Sequence, residues 1–258
     1  MEDYISQAKE YLSQRLSAEI SFQNNLETLF DDYASKLVDI SFASNINPDY
    51  FNFSYNDDIK DKTDALITDM LNDVIDYTET LSISTHTENE DRILAYINKD
   101  IDGNNFYGRA KERVEIYKKE IEGIISAGLL IGTSKLKIKQ SIKIYRKMPY
   151  QNPIFREAIK LNKGKSEAII EKGLHFGVGI SNLSFNSINR LCRFTIGDSW
   201  QQNWYDEWGE KGAIGYNVIT TSGACGDCST NAGFHSDGNL PMYHLNCRCI
   251  AIPVFSKN

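Results

Sequence analysis

Apolar residues recur at three- and four-residue steps over much of the first half of the chain. In Leu26–Ile40 the positions Leu26, Leu29, Phe30, Tyr33, Leu37 and Ile40 fall on one helical face, with acids on the other. Thr63–Leu81 repeats the spacing with Leu66, Met70, Leu71, Val74 and Leu81, and Asn105–Leu130 repeats it with Val114, Tyr117, Ile121, Ile124 and Ile125. Amphipathic helices are therefore predicted over these stretches. Residues 45–58 (NINPDYFNFSYNDD), rich in Asn, Asp and aromatics and carrying Pro48, read as the connection between the first two.

Gly132-Thr133-Ser134 supplies a helix stop followed by an N-cap, and Lys135–Lys147 (KLKIKQSIKIYRK) then reads as a basic helix ending before Pro149. Its first residues also alternate as a strand would, but Leu136, Ile138, Ile142 and Tyr145 fit a helix. Short helices are expected near Phe155–Leu161 and Ser166–His175. The glycine-rich run Gly173–Gly179 lacks the Lys and Ser/Thr that a phosphate loop requires. From Ser184 to Trp208, Ile188, Ile196, Trp200, Trp204 and Trp208 stand four or eight residues apart, so all three tryptophans share a face. That stripe reads as core in preference to a base-stacking platform. Gly209 and Gly212 end the helix, Ile214–Thr221 has strand composition, and Cys249–Phe255 is a closing strand to pair with it. The expected fold is mainly α: helical N-terminal and middle regions, then a small α+β module in which a long helix carries a β-hairpin pinned by a Cys/His cluster. The expected division is an acidic helical region over 1–132, a basic helical middle over 133–183 and the C-terminal module over 184–258.

With 258 residues, 41% hydrophobic and 24% charged, the chain can bury a core and lies far from the composition of disorder. Its longest apolar run, Gly123–Gly132, is about half of the roughly 18 residues a spanning helix needs, so no membrane partner is expected. The acidic start MEDYISQAKE does not look like a targeting segment, and synthesis in the cytoplasm is expected. The net charge of −7 hides an asymmetry: residues 1–100 carry 21 acids against 7 bases, and residues 101–200 carry 9 against 18. The basic helix is the candidate surface for DNA or an acidic protein partner, through Lys135, Lys137, Lys139, Lys143, Arg146 and Lys147.

Four of the five cysteines crowd into the last 34 residues as Cys225-x2-Cys228, then His244-x2-Cys247-x-Cys249. Two ligands on a tight turn and two more returned by a loop make the sulfur and nitrogen set that tetrahedral Zn2+ prefers. The expected ligands are Cys225, Cys228, His244 and Cys247. Cys249 either substitutes for His244 or Cys247 or points into the core. A fully ligated ion has no open position, so its role would be structural, and metal-free thiols or a disulfide are the alternative. His235 reads as a surface loop residue, Cys192 as a buried core thiol, and His86-Thr87-Glu88 as part of a solvated polar stretch.

The run from about Ser187 to Val254 resembles the C-terminal portion of the phage Mu F-like head morphogenesis proteins, minor capsid proteins of tailed bacteriophages. The matching positions are Arg193, Gly212, Cys225, Cys228, Gly233, Pro241, His244, Cys247, Arg248, Cys249, Pro253 and Val254. The chain departs from the pattern at Phe194-Thr195, where Thr-Glu is usual, and at Leu245, where a second proline is common. The resemblance implies a portal-associated minor head protein acting in head morphogenesis, DNA packaging or genome delivery. It further implies residence in the virion, in the capsid interior or at the portal vertex. Expected partners are the portal protein, the interior of the major capsid or scaffold, packaged double-stranded DNA, and further copies of the chain around the portal.

The rival reading is a free zinc-ribbon DNA-binding protein, disfavoured because residues 222–249 contain no Lys and only Arg248. Catalytic templates fit poorly. Cys225 follows Ala224 where a zinc deaminase has proline, and neither H-E-x-x-H nor G-x-S-x-G occurs, so no enzyme activity is expected.

Overall fold

The computed structural model describes residues 2–43, 46–84, 86–161, 183–220, 224–236 and 247–256. It is mainly helical, with a small C-terminal region that contains strands and a cysteine cluster. The helices are α1 (Glu2–Ala43), α2 (Asp57–Ile83), α3 (Glu90–Ile97), α4 (Phe106–Leu130), α5 (Lys135–Tyr145), α6 (Pro153–Leu161), α7 (Ser184–Glu210) and the short α8 (Gly226–Thr230). Three strands, β1 (Gly215–Ile219), β2 (Gly233–Ser236) and β3 (Ile250–Val254), form an antiparallel sheet in the order β2-β1-β3. The helix expected over Ser166–His175 and the glycine run Gly173–Gly179 lie outside the described residues.

Two compact units are each gathered from separated stretches, whereas the sequence reading divides the chain consecutively. One comprises Met1–Gln23, Tyr77–Ile101 and Cys192–Asn258; the other comprises Asn24–Asp76 and Asp102–Leu191. Long helices make this possible, because residues at the two ends of α1, α2 and α7 belong to different units.

In the unit built from Asn24–Asp76 and Asp102–Leu191, most positions of the predicted stripes are core, but Ile40 and Leu66 are only half-buried, Ile67 is buried in place of Leu66, and Leu81 falls in the other unit. Phe30 packs edge-on against Tyr117 and Phe185 at 4.4 and 5.1 Å between centroids, and the Tyr117 hydroxyl donates to the Phe30 carbonyl at 2.9 Å. Asn105 and Ser134 cap α4 and α5 by accepting from the Gly108 and Lys137 N–H groups. The α7 N-terminus is satisfied by Glu120 of α4, whose carboxylate accepts from both the N–H and the hydroxyl of Ser184. Burial nevertheless pushes the Glu120 carboxyl up to about 7.

The other unit joins the start of α1 to the tryptophan face of α7 and to the sheet. Trp204, Tyr205, Trp208, Tyr216, Ile252 and Ala8 form one buried cluster, and Trp200 is 1% exposed. The Trp204 indole N–H donates to the Ala251 carbonyl at 3.0 Å, tying α7 to β3, and the Trp200 N–H donates to the Leu81 carbonyl at 3.1 Å. The tryptophans are core, as their spacing predicts. α7 ends in a Schellman pattern: Ala213 N–H bonds back to Trp208 and Gly212 N–H to Gly209, with Gly212 at φ +88°. Gly215 opens β1 where a Cβ would lie 2.4 Å from the His235 carbonyl oxygen, so the approach of β2 requires glycine.

Candidate metal centre

β1 and β3 pair in the expected antiparallel sense, from Gly215 opposite Val254 to Ile219 opposite Ile250. This pairing places Cys249 just before β3, and Cys247 two residues earlier. On the other side Cys225 and Cys228 flank the start of α8, where the Ser229 N–H donates to the Cys225 carbonyl at 3.0 Å. The Cys228 N–H donates to Cys225 Sγ at 3.4 Å. A Cys-x2-Cys pair folded in this way presents both sulfurs to one side of the turn.

The sulfurs of Cys228, Cys247 and Cys249 lie within 4.8 Å of one another, and Cys228 Sγ is 3.9 Å from Cys247 Sγ. A disulfide would need about 2.05 Å. Zn–S bonds of about 2.3 Å set a tetrahedral edge of about 3.8 Å, which the observed pair nearly matches. Cys228 and Cys247 are buried with Phe194, Ala224 and Cys249 packed against them, and Cys225 is exposed at the rim. Cys249 thus belongs to the trio, where the sequence reading held it as a substitute or a core residue. His244 lies outside the described residues. The cluster can hold a metal ion. Among thiols alone, burial and then neighbouring sulfurs push Cys228 up, and burial raises Cys249 as well. A divalent cation reverses that balance by stabilising thiolates.

A buried charge network backs the cluster. Arg15 of α1 donates through Nη2 to the Cys247 carbonyl and through Nη1 to Gln201 Oε1. Its Nε lies 3.6 Å from Glu19 Oε1, and Arg193 Nη2 lies 3.3 Å from Glu19 Oε2. Glu19, fully buried, is therefore shared by two arginines. Arg193, one of the motif positions in the resemblance, serves this network. Nothing in the local pattern of α1 sets the Arg15–Glu19 pair apart from an ordinary helical ion pair, because their other partners lie more than 170 residues away.

The basic helix meets acids of α1 within the unit built from Asn24–Asp76 and Asp102–Leu191. Lys135 and Lys139 contact Asp39 at 2.6 and 2.7 Å, Lys143 contacts Asp31 at 3.2 Å, Arg146 contacts Glu27 and Asp31, and Lys147 contacts Glu27 at 2.7 Å. Lys135 and Lys139 hold Asp39 below its ordinary range, and Lys147 with Arg146 does the same to Glu27. Lys137 is exposed. Five of the six side chains expected to meet an acidic partner thus already face acids of their own chain.

Further differences from the sequence reading concern single residues. His86 is buried, not solvated, because Trp200 and Tyr11 enclose its ring at 4.8 and 5.4 Å. No signal in STHTENED marks this. His235 sits in β2, half-buried, with Nε2 at 2.8 Å from the Asn231 carbonyl. Cys192 is fully buried, as read.

Compared with known protein families, with curated proteins and with solved structures, the chain matches none. No helix among the described residues is long and apolar enough to cross a membrane.

Proposed function

We propose that this chain is a non-catalytic minor head protein of a tailed bacteriophage. In this reading its C-terminal module is made rigid by a structural Zn2+ ion and docks at the portal vertex during head morphogenesis, packaging or genome delivery. The observation that carries the reading is the convergence of Cys228, Cys247 and Cys249, with Cys225 at the rim, from both halves of the motif shared with the phage Mu F-like proteins. Cys228, Cys247 and Cys249 would be three of the ligands, and Cys225 or His244 the fourth.

A site closed by four protein ligands leaves no position for a reacting water, so the ion acts on folding. The small sheet gains from it on the order of 10 kcal/mol of apparent folding energy. The module offers the portal a rigid surface set on the tryptophan face of α7. The rival DNA-binding role draws little support from the basic segment, where every basic side chain but Lys137 is engaged by Glu27, Asp31 or Asp39.

The test is quantitative mass spectrometry of particles from the phage or prophage encoding the chain, comparing portal-containing capsids with portal-less heads. Low-copy presence confined to portal-containing particles is the expected result. Equal amounts in both kinds of particle, or none in either, would refute the portal role.

A further inference from the structure

A second group of ligand atoms lies in the same unit as the cysteine cluster and uses none of its residues. After α2, the His86 N–H donates to the Ile83 carbonyl and a single 3-10 turn, Thr87–Asn89, leads into α3. This turn brings the ligand atoms of His86 and Glu88 within 4.8 Å of that of Glu207 on α7. His86 Nδ1 is 3.7 Å from Glu207 Oε1 and 4.0 Å from Glu88 Oε1. Both separations are too long for hydrogen bonds. Nε2 has no partner either, although the residue is only 9% exposed. Nδ1 thus faces two carboxylates, each just beyond hydrogen-bond reach.

The surroundings are built rather than incidental. Trp200 and Tyr11 fix the ring plane. Glu207 Oε1 accepts from the side-chain amides of Asn89 and Asn203, each at 2.9 Å, and Asn203 Oδ1 accepts from Arg92 Nε at 3.2 Å. Carboxylates oriented by an outer layer of hydrogen bonds are the usual companions of a bound metal. Burial lowers the His86 pKa, against the opposing pull of Glu207 and Glu88. Glu88, with its side chain 66% exposed, opens the cluster to water.

We infer that His86 Nδ1, Glu88 and Glu207 form a second metal site, for a divalent transition-metal ion of the zinc class, with water completing its coordination. One imidazole and two carboxylates neutralise such an ion, and the nitrogen donor favours it over Mg2+ or Ca2+. Bonds of about 2.0–2.1 Å set a tetrahedral edge of about 3.3 Å. The ion would close the 4.0 Å His86–Glu88 separation through the exposed Glu88 side chain, and the 3.7 Å His86–Glu207 separation through a small shift of Glu207, whose side chain is 21% exposed. Unlike the cysteine centre, this site keeps an open coordination position.

Co2+ added to the metal-free full-length chain tests the site separately from the cysteine cluster, because only thiolates give a sulfur-to-cobalt charge-transfer band. The expected result is two equivalents bound, one with that band and one without it. Glu207→Gln, which retains an acceptor for Asn89 and Asn203, should remove the second equivalent and leave the thiolate band intact. Glu88→Gln, at a side chain 66% exposed, should weaken the second equivalent at least ten-fold. Failure to bind a second equivalent, or a second equivalent unchanged in Glu88→Gln, would overturn the inference whatever the cysteine cluster does. Loss of the charge-transfer band alone would count against the zinc module and leave the second site standing.

Discussion

At the scale of single residues, burial and proximity decide what each polar group does. Glu120 satisfies the start of α7, yet burial raises its carboxyl from an ordinary value near 4.5 to about 7. The folded chain therefore keeps this proton between those values while the unfolded chain releases it. The folded state binds more protons across that window, so the stability contribution is fully present below about pH 4.5 and declines as pH rises towards 7. Glu120→Gln keeps an acceptor for the Ser184 N–H and removes the titration. Its denaturation midpoint should fall less between pH 5 and pH 8 than that of the unaltered chain, and a pH dependence identical to the parent's would show that Glu120 does not titrate in this way. None of this is visible in the sequence, where Glu120 is one acid among many on an amphipathic helix. The same is true of His86, whose polar neighbours in STHTENED conceal that Trp200 encloses it. The cysteines were legible because metal-ligand spacing is a local signal. For Cys249 the spacing left two roles open, substitute ligand or core residue, and the choice depends on where the start of β3 falls.

At the scale of elements, periodicity carried most of the information. The stripes in α1, α2 and α4, the Ser134 cap of α5, the tryptophan face of α7 and the pairing of β1 with β3 follow from residue spacing and composition. β2 did not, because four residues containing Gly233 and one alternating exposed aromatic are too short to stand out from a loop. It forms because β1 offers a free edge and Gly215 lets the backbone of His235 come close. Trp204 shows how a helix position stabilises a sheet: it is buried in the cluster with Tyr216 and Ile252, and its N–H caps the Ala251 carbonyl. Trp204→Ala should cost about 3–5 kcal/mol, read as a lower denaturant midpoint. A loss below about 1 kcal/mol would mean that the cluster closes over the gap or contributes little.

At the scale of the whole molecule, the charge asymmetry has a partly internal explanation. The acidic first hundred residues and basic second hundred make the basic helix a candidate surface for DNA or an acidic partner. In the structure, α1 acids meet Lys135, Lys139 and Lys143 of α5 and Arg146 and Lys147 just after it, which accounts for five of the six basic positions. Exposed pairs of this kind contribute only about 0–1 kcal/mol each, so their consequence is less a gain in stability than a weaker field available to DNA. The two units interleave along the chain because α1, α2 and α7 are long enough to serve both, something hydrophobic period alone does not reveal.

The central claim is that a metal held by cysteines fixes the C-terminal sheet. The most direct measurement is hydrogen exchange of the full-length zinc-loaded chain, before and after removal of the ion by a chelator. Amide protection is expected to be lost over residues 215–219 and 250–254, while α4 and the middle of α2 keep theirs. Strand protection unchanged after verified removal of the zinc would contradict it.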